Sequence, residues 1–181
     1  SNDILAQLYA LSETLKHKER LKNLFMSNFN PNGKIKDAII SFISYFQYID
    51  LSRIFKKDSK TKGYLHLFPS PEKDSTCKRI NLFLRWMVRD KDIDFGIWNE
   101  VGSYNLIIPL DTHVAKVSRC LGLLTRNSTD WKAAEELTFN LKKFDPEDPL
   151  KYDFALCHVG INGECNDKNC NSCWIKNDLS F

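Results

Sequence analysis

Ile80, Phe83, Leu84, Met87 and Val88 fall at i, i+3, i+4, i+7 and i+8, the spacing of one apolar stripe along an α-helix. The same 3.6-residue periodicity runs through most of the chain. Only 7 Gly and 6 Pro interrupt 181 residues, and alternating strand patterns are scarce. This periodicity predicts an all-α fold.

Ile4, Leu8, Leu11 and Leu15 give the expected core face of a helical stretch over residues 3–26, which continues through Leu24 and Phe25. Asn28 to Gly33 reads as a turn. Ile35, Ile39, Phe42, Ile43 and Phe46 form the core face of a helical stretch over 34–57. A polar connector follows from Asp58 to Gly63, and Tyr64 to Phe68 is too short to assign. Pro69 and Pro71 break the chain before a helix over 75–89. Lys78, Leu82, Arg85 and Arg89 lie opposite its apolar stripe, so that face is expected to be basic and outward.

A loop of about twenty residues runs from Asp90 to Pro109, and such loops usually have a function. Phe95 to Trp98 is expected to make a helical turn within it. Asp111 opens a helix that turns Val114, Val117 and Leu121 inward and ends at Gly122. Ser128 or Thr129 is the expected cap of the next helix, whose core face is Ala134, Leu137, Leu141 and Phe144. Asp148-Pro149 reads as N-cap and first turn of a last helix that stops at Gly160. The expected organisation is therefore a first helical subdomain over 1–92, a crossover over 93–110, a second helical subdomain over 111–160, and a cysteine-rich tail over 161–181.

Hydrophobic residues make up 43% of the chain and charged residues 27%, which excludes a disordered or low-complexity chain. No apolar run approaches the roughly 20 residues of a membrane span. Ser1-Asn2-Asp3 lacks the basic region of a secretory signal, so a cytoplasmic location is expected. Charge is unevenly placed. Residues 1–92 carry 17 Lys and Arg against 10 Asp and Glu, and residues 93–181 carry 9 against 13. A basic half suits a polyanion such as nucleic acid, and ordinary surface charge gives the same pattern.

Lys78 stands in the first turn of the 75–89 helix. A lysine there is ordinarily solvated, or contacts a phosphate. The alternative is an amine nucleophile, which needs partial desolvation and a group to take its proton. Asp111 follows the apolar run Ile107-Ile108-Pro109-Leu110 and is the natural second member. It is also a natural N-cap, and capping would hold its carboxylate in one orientation.

Three strings carry a resemblance. They are Cys77-Lys78-Arg79 through Leu82-Phe83-Leu84-Arg85-Trp86-Met87-Val88-Arg89, then Pro109-Leu110-Asp111-Thr112-His113-Val114, then Asp145-Pro146 through Asp148-Pro149 with Lys151-Tyr152-Asp153-Phe154-Ala155-Leu156. In this order they resemble a bacterial family of unknown function, well over residues 64–160 and weakly before them. That family is in turn similar to the helix-hairpin-helix DNA glycosylases, whose two helical subdomains flank a cleft. Lys78 matches the lysine that the bifunctional members carry at the start of the hairpin's second helix. Asp111 matches their catalytic aspartate. The long interval between the two is similar to that of the archaeal 8-oxoguanine glycosylase branch.

The resemblance implies a base-excision glycosylase with AP-lyase activity on an oxidised purine such as 8-oxoguanine, working through a Lys78 Schiff base. Its partner would be double-stranded DNA with a damaged base flipped from the helix, and the chain would act as a monomer. The hairpin segment Pro71 to Thr76 departs from the family in containing no Gly. Lys73, Ser75 and Thr76 would take over phosphate contact, joined by Arg79, Arg85 and Arg89. Trp86, Phe95 and Trp98 are candidates to stack on the base, although such residues more often serve as plain core. Two rival classes are a non-catalytic DNA-binding hairpin module and an interaction protein built around a metal-binding tail.

That tail holds Cys157, Cys165, Cys170 and Cys173, spaced C-x7-C-x4-C-x2-C. Cys77 and Cys120 are expected in the core. A C-x2-C pair with two thiols nearby reads as a Zn or [4Fe-4S] site. The cluster loop of the resembled enzymes is C-x6-C-x2-C-x5-C. Cys170 and Cys173 match only its middle pair.

Overall fold

The computed structural model describes residues 2–55, 60–163 and 165. Among them every regular element is helical. The eight α-helices are α1 (Asn2–Lys18), α2 (Leu21–Met26), α3 (Ile35–Tyr48), α4 (Lys62–Leu67), α5 (Lys78–Val88), α6 (Thr112–Cys120), α7 (Trp131–Leu141) and α8 (Asp153–Ile161). None is long and apolar enough to cross a membrane. The chain divides into two compact units between Ser75 and Thr76. The division places α5 with the residues that follow it, whereas spacing alone groups it with residues 1–92.

In the first unit α3 presents Ile35, Ile39, Phe42, Ile43 and Phe46 to the core, as its periodicity predicts. The Tyr64 hydroxyl of α4 donates to the Phe46 carbonyl at 2.8 Å, and Phe68 stacks on Phe46 with centroids 4.8 Å apart. The unassigned stretch after Gly63 is thus helix, with the Thr61 hydroxyl accepting from the Tyr64 amide. Glu19 adopts a left-handed φ of 61° and breaks the first stretch into α1 and α2.

Helix α1 reverses its expected orientation. Ala6, Ala10 and Thr14 are buried, while Ile4, Leu8 and Leu15 are 59%, 60% and 47% exposed. Small side chains let helix axes come close, and α1 turns that narrow face toward α2 and α4.

In the second unit Val114, Ala115, Val117, Ala133, Ala134, Leu137, Leu141 and Leu156 form one apolar cluster. Fully burying a side chain of the Val or Leu size contributes roughly 1.5–3 kcal/mol. Asp130, not Ser128 or Thr129, caps α7, accepting from the Ala133 amide at 2.8 Å. Phe144 falls outside the core at 43% exposure. Gly160 does not stop α8, which runs to Ile161. A Cβ at Gly160 would come within 2.7 Å of His113 Cβ, so this glycine lets α8 pack closely on α6.

Candidate active site

The approach to α5 is a sequence of tight turns. A 3-10 turn at Pro71–Lys73 is capped by Ser70, whose hydroxyl accepts from the Glu72 amide. Asp74 and then Cys77 adopt left-handed φ values of 54° and 51°. These non-glycine residues hold conformations that glycine takes without strain. The buried Asn81 reaches back one turn, and its Nδ2 donates to the Thr76 carbonyl at 2.9 Å. Lys78 becomes the first residue of α5.

Asp111 caps α6, its Oδ1 accepting from the Val114 amide at 2.8 Å. Its Oδ2 accepts from Lys78 Nζ at 2.7 Å, across 33 residues of sequence. The Lys78 side chain is 46% exposed and that of Asp111 14%. Burial works to raise the Asp111 pKa, but the Lys78 ammonium and the Val114 amide outweigh it and hold the carboxyl below its ordinary value. The pair therefore joins an accessible amine to a fixed, half-buried carboxylate.

Arg85 and Arg89 are not available for phosphate contact. Both are almost fully buried, at 4% and 1% exposure. Arg85 donates from Nε to Asp94 at 3.1 Å and from Nη1 to Asp153 at 2.6 Å. Arg89 grips the two Asp148 oxygens at 2.8 and 2.9 Å and also reaches Asp92 and Asp94. Burial opposes the Arg89 charge, and Asp148, Asp92 and Asp94 more than restore it, raising its pKa. Asp148 is thus an ion-pair partner and makes no side-chain cap. The inward face of α5 is Asn81, Leu84, Arg85 and Val88. The stripe read from apolar residues alone is rotated, because aspartates from distant segments make two arginines fit to bury.

The loop after α5 closes on that helix. The Phe95 and Trp98 amides donate to the Trp86 and Met87 carbonyls, both at 2.7 Å. These are carbonyls that a helix end leaves without intrahelical donors. Gly96 has φ +60°, and a Cβ there would meet Asp90 Cβ at 2.5 Å. Residues 95–98 therefore make no helical turn. Trp98 is core, edge-on to Phe83 with centroids 5.4 Å apart. Trp86 and Phe95 are exposed. Trp86 stands eight residues beyond Lys78, about 12 Å along the helix, so neither aromatic adjoins the Lys78 amine in sequence or along α5. Lys73 and Arg79 are exposed, and Ser75 and Thr76 are half-buried.

Of the four tail cysteines, Cys170 and Cys173 lie outside the described residues. Cys165 is buried and Cys157 half-buried, both against the core of the second unit. Burial, with the nearby Asp111 and Asp153 carboxylates, pushes the Cys157 thiol up. Among the described residues no three His, Cys, Asp or Glu are grouped to hold a metal.

Asp153 stands in the third motif string, and spacing alone gives it no role. It opens α8, pairs with Arg85 and senses the charges of Asp111 and Lys78. Burial raises its pKa, against the pull of Arg85. Its only sequence signal is its place in the third string. Asn81 has a plainer one, a polar residue three positions after Lys78 and one after Ile80 at the edge of the apolar stripe.

The class defined by these features is an all-helical protein that sets a lysine amine against a helix-capping aspartate. The chain belongs to DUF2400, a family of proteins of unknown function, whose family model spans residues 1–162. Comparisons with curated proteins and with solved structures gave no match.

Proposed function

We propose that this chain is a helix-hairpin-helix DNA glycosylase with AP-lyase activity, acting on an oxidised purine such as 8-oxoguanine in duplex DNA. The observation that carries the reading is the 2.7 Å contact between Lys78 Nζ and Asp111 Oδ2. The resemblance implies that these two residues share a cleft, whereas a surface lysine and an N-cap have no need to meet. The left-handed turns that lead into α5 give further support, since they allow a hairpin without glycine.

In this reading the ammonium must first lose a proton, and Asp111 is the group placed to receive it. The Lys78 amine then attacks C1′ of the damaged nucleotide. The glycosidic bond breaks, and the base leaves with the bonding electrons and takes up a proton. Loss of the remaining nitrogen proton and opening of the sugar ring, with O4′ protonated, give the imine. Removal of a C2′ proton then expels the 3′ phosphate. Lys73, Ser75, Thr76 and Arg79 are the remaining phosphate contacts.

Borohydride trapping tests the reading on duplexes carrying 8-oxoguanine, an abasic site or undamaged guanine. The native chain should form a covalent adduct with the damaged duplexes. Lys78→Ala should abolish it, and Asp111→Asn should slow it by about 100-fold. No adduct, together with salt-sensitive binding, would leave the non-catalytic DNA-binding module as the better reading.

A further inference from the structure

Helix α5 carries two cations on one face. Lys78 opens the helix and Arg85 follows seven residues later, two turns or about 10 Å along the axis. Each meets a carboxylate that stands at the start of another helix. Lys78 Nζ donates to Asp111, the N-cap of α6. Arg85 Nη1 donates at 2.6 Å to Asp153, the first residue of α8, and both side chains of this second pair are buried. The close approach of Gly160 to His113 packs α8 against the first turn of α6. Packing and pairing therefore bring a second carboxylate within electrostatic reach of the Lys78–Asp111 pair.

Proton transfer within that pair is opposed by the pair itself. Against the upward push of burial, the Lys78 ammonium and the Val114 amide hold Asp111 below its ordinary value. That makes it a weak acceptor for the proton that Lys78 must lose. A negative charge beside the pair acts in two ways. It attracts the ammonium, and it repels the neighbouring carboxylate and so favours its protonation. For Asp153 the repulsion with Asp111 outweighs the attraction to Lys78. The charge of Asp153 therefore favours a protonated Asp111 beside a free amine, and Arg85 keeps that charge in place. His113 of α6 and Cys157 of α8 also face the pair. The charge of His113 adds to the lowering of Asp111, while burial and the two carboxylates keep Cys157 a neutral thiol.

We propose that Asp153, held by Arg85, is a positioning residue whose charge drives the Lys78 proton onto Asp111. In that step an N–H bond breaks at Lys78 Nζ and an O–H bond forms at Asp111 Oδ2, and Asp153 keeps its charge throughout. The role rests on the reaction proposed above and acts on it only through Asp111.

A double-mutant cycle on the trapping rate tests the role, with the abasic duplex at neutral pH. Asp153→Asn should slow trapping by roughly 3–10-fold with duplex affinity unchanged, and Asp153→Glu should recover most of the rate. In the Asp111→Asn background the same Asp153→Asn change should cost nothing further. A merely structural residue would cost the same in both backgrounds, and that result would overturn the inference. A second measurement needs no change at Asp153. In carbon-13 NMR of the native chain, the Asp111 carboxyl carbon should show an additional inflection as Asp153 titrates. It should fall above the ordinary carboxylate value of about 3.9, because burial raises Asp153 against the pull of Arg85. No such inflection in a chain that forms adducts would overturn the role and leave the reaction standing. No adduct from the native chain with any duplex would take the reaction and the role down together.

Discussion

Asp111 holds two tasks in one side chain, and substitution can separate them. One oxygen caps α6 and the other holds Lys78. Asp111→Asn keeps a capping oxygen, whereas Asp111→Ala removes both functions and should cost about 1 kcal/mol more in denaturant titration. Both should slow formation of the trapped adduct by about 100-fold. In the proposed reaction the cap would thus serve stability and the charge the chemistry. The pH dependence follows from the lowered pKa. The stabilisation from the Lys78 pair is fully present above the unfolded carboxylate value of about 3.9, and it is lost as pH falls through the lower folded value. The melting-temperature gap between native and Asp111→Asn protein should be constant above pH 5 and shrink in that acid range. A gap unchanged at pH 3 would count against the ion pair. Both members of the pair were legible as residue types at helix starts. Their pairing was an expectation from the resemblance alone, because no local pattern encodes a contact across 33 positions.

At the scale of elements, helices with one kind of neighbour were legible and helices with mixed neighbours were not. The core face of α3 is all large and apolar, and periodicity alone finds it. α5 fails that reading because Arg85 and Arg89 are inward, made acceptable by Asp94, Asp148 and Asp153. α1 fails it because closeness of approach favoured Ala6 and Ala10 over leucine. Both failures have one cause: burial is decided by what lies opposite, which a single element does not record. The ion-paired face of α5 makes a firm expectation. Arg89→Leu should leave Asp148 buried without its ion-pair partner and Asp94 with Arg85 alone, and destabilise the second unit by about 3–5 kcal/mol in urea unfolding. A loss under 1 kcal/mol would mean that water reaches those carboxylates.

For the whole molecule, the family match spans residues in both units, through position 162. All-helical architecture was legible from the scarcity of strand signals. The place of division was not, since Ser75 and Thr76 lie within a turn-rich stretch with no linker composition. The basic excess of residues 1–92 was read with Arg85 and Arg89 among the DNA contacts, and their charges are neutralised internally. DNA binding should therefore depend on fewer cations than composition suggests. In anisotropy titrations between 50 and 200 mM salt, Lys73→Ala and Arg79→Ala should each lower the log–log salt slope by about 1. Slopes that match the native protein would exclude those side chains from the phosphate surface.

The grip of Arg89 on Asp148 also sets an order on biosynthesis. Its partner lies 59 residues further along the chain, so it leaves the ribosome well after α5. Until then the guanidinium keeps its hydration, because burying it alone would cost several kcal/mol. α5 can reach its final seat only when the segment leading into α8 has emerged. The helix that carries the lysine is thus made early and docked late.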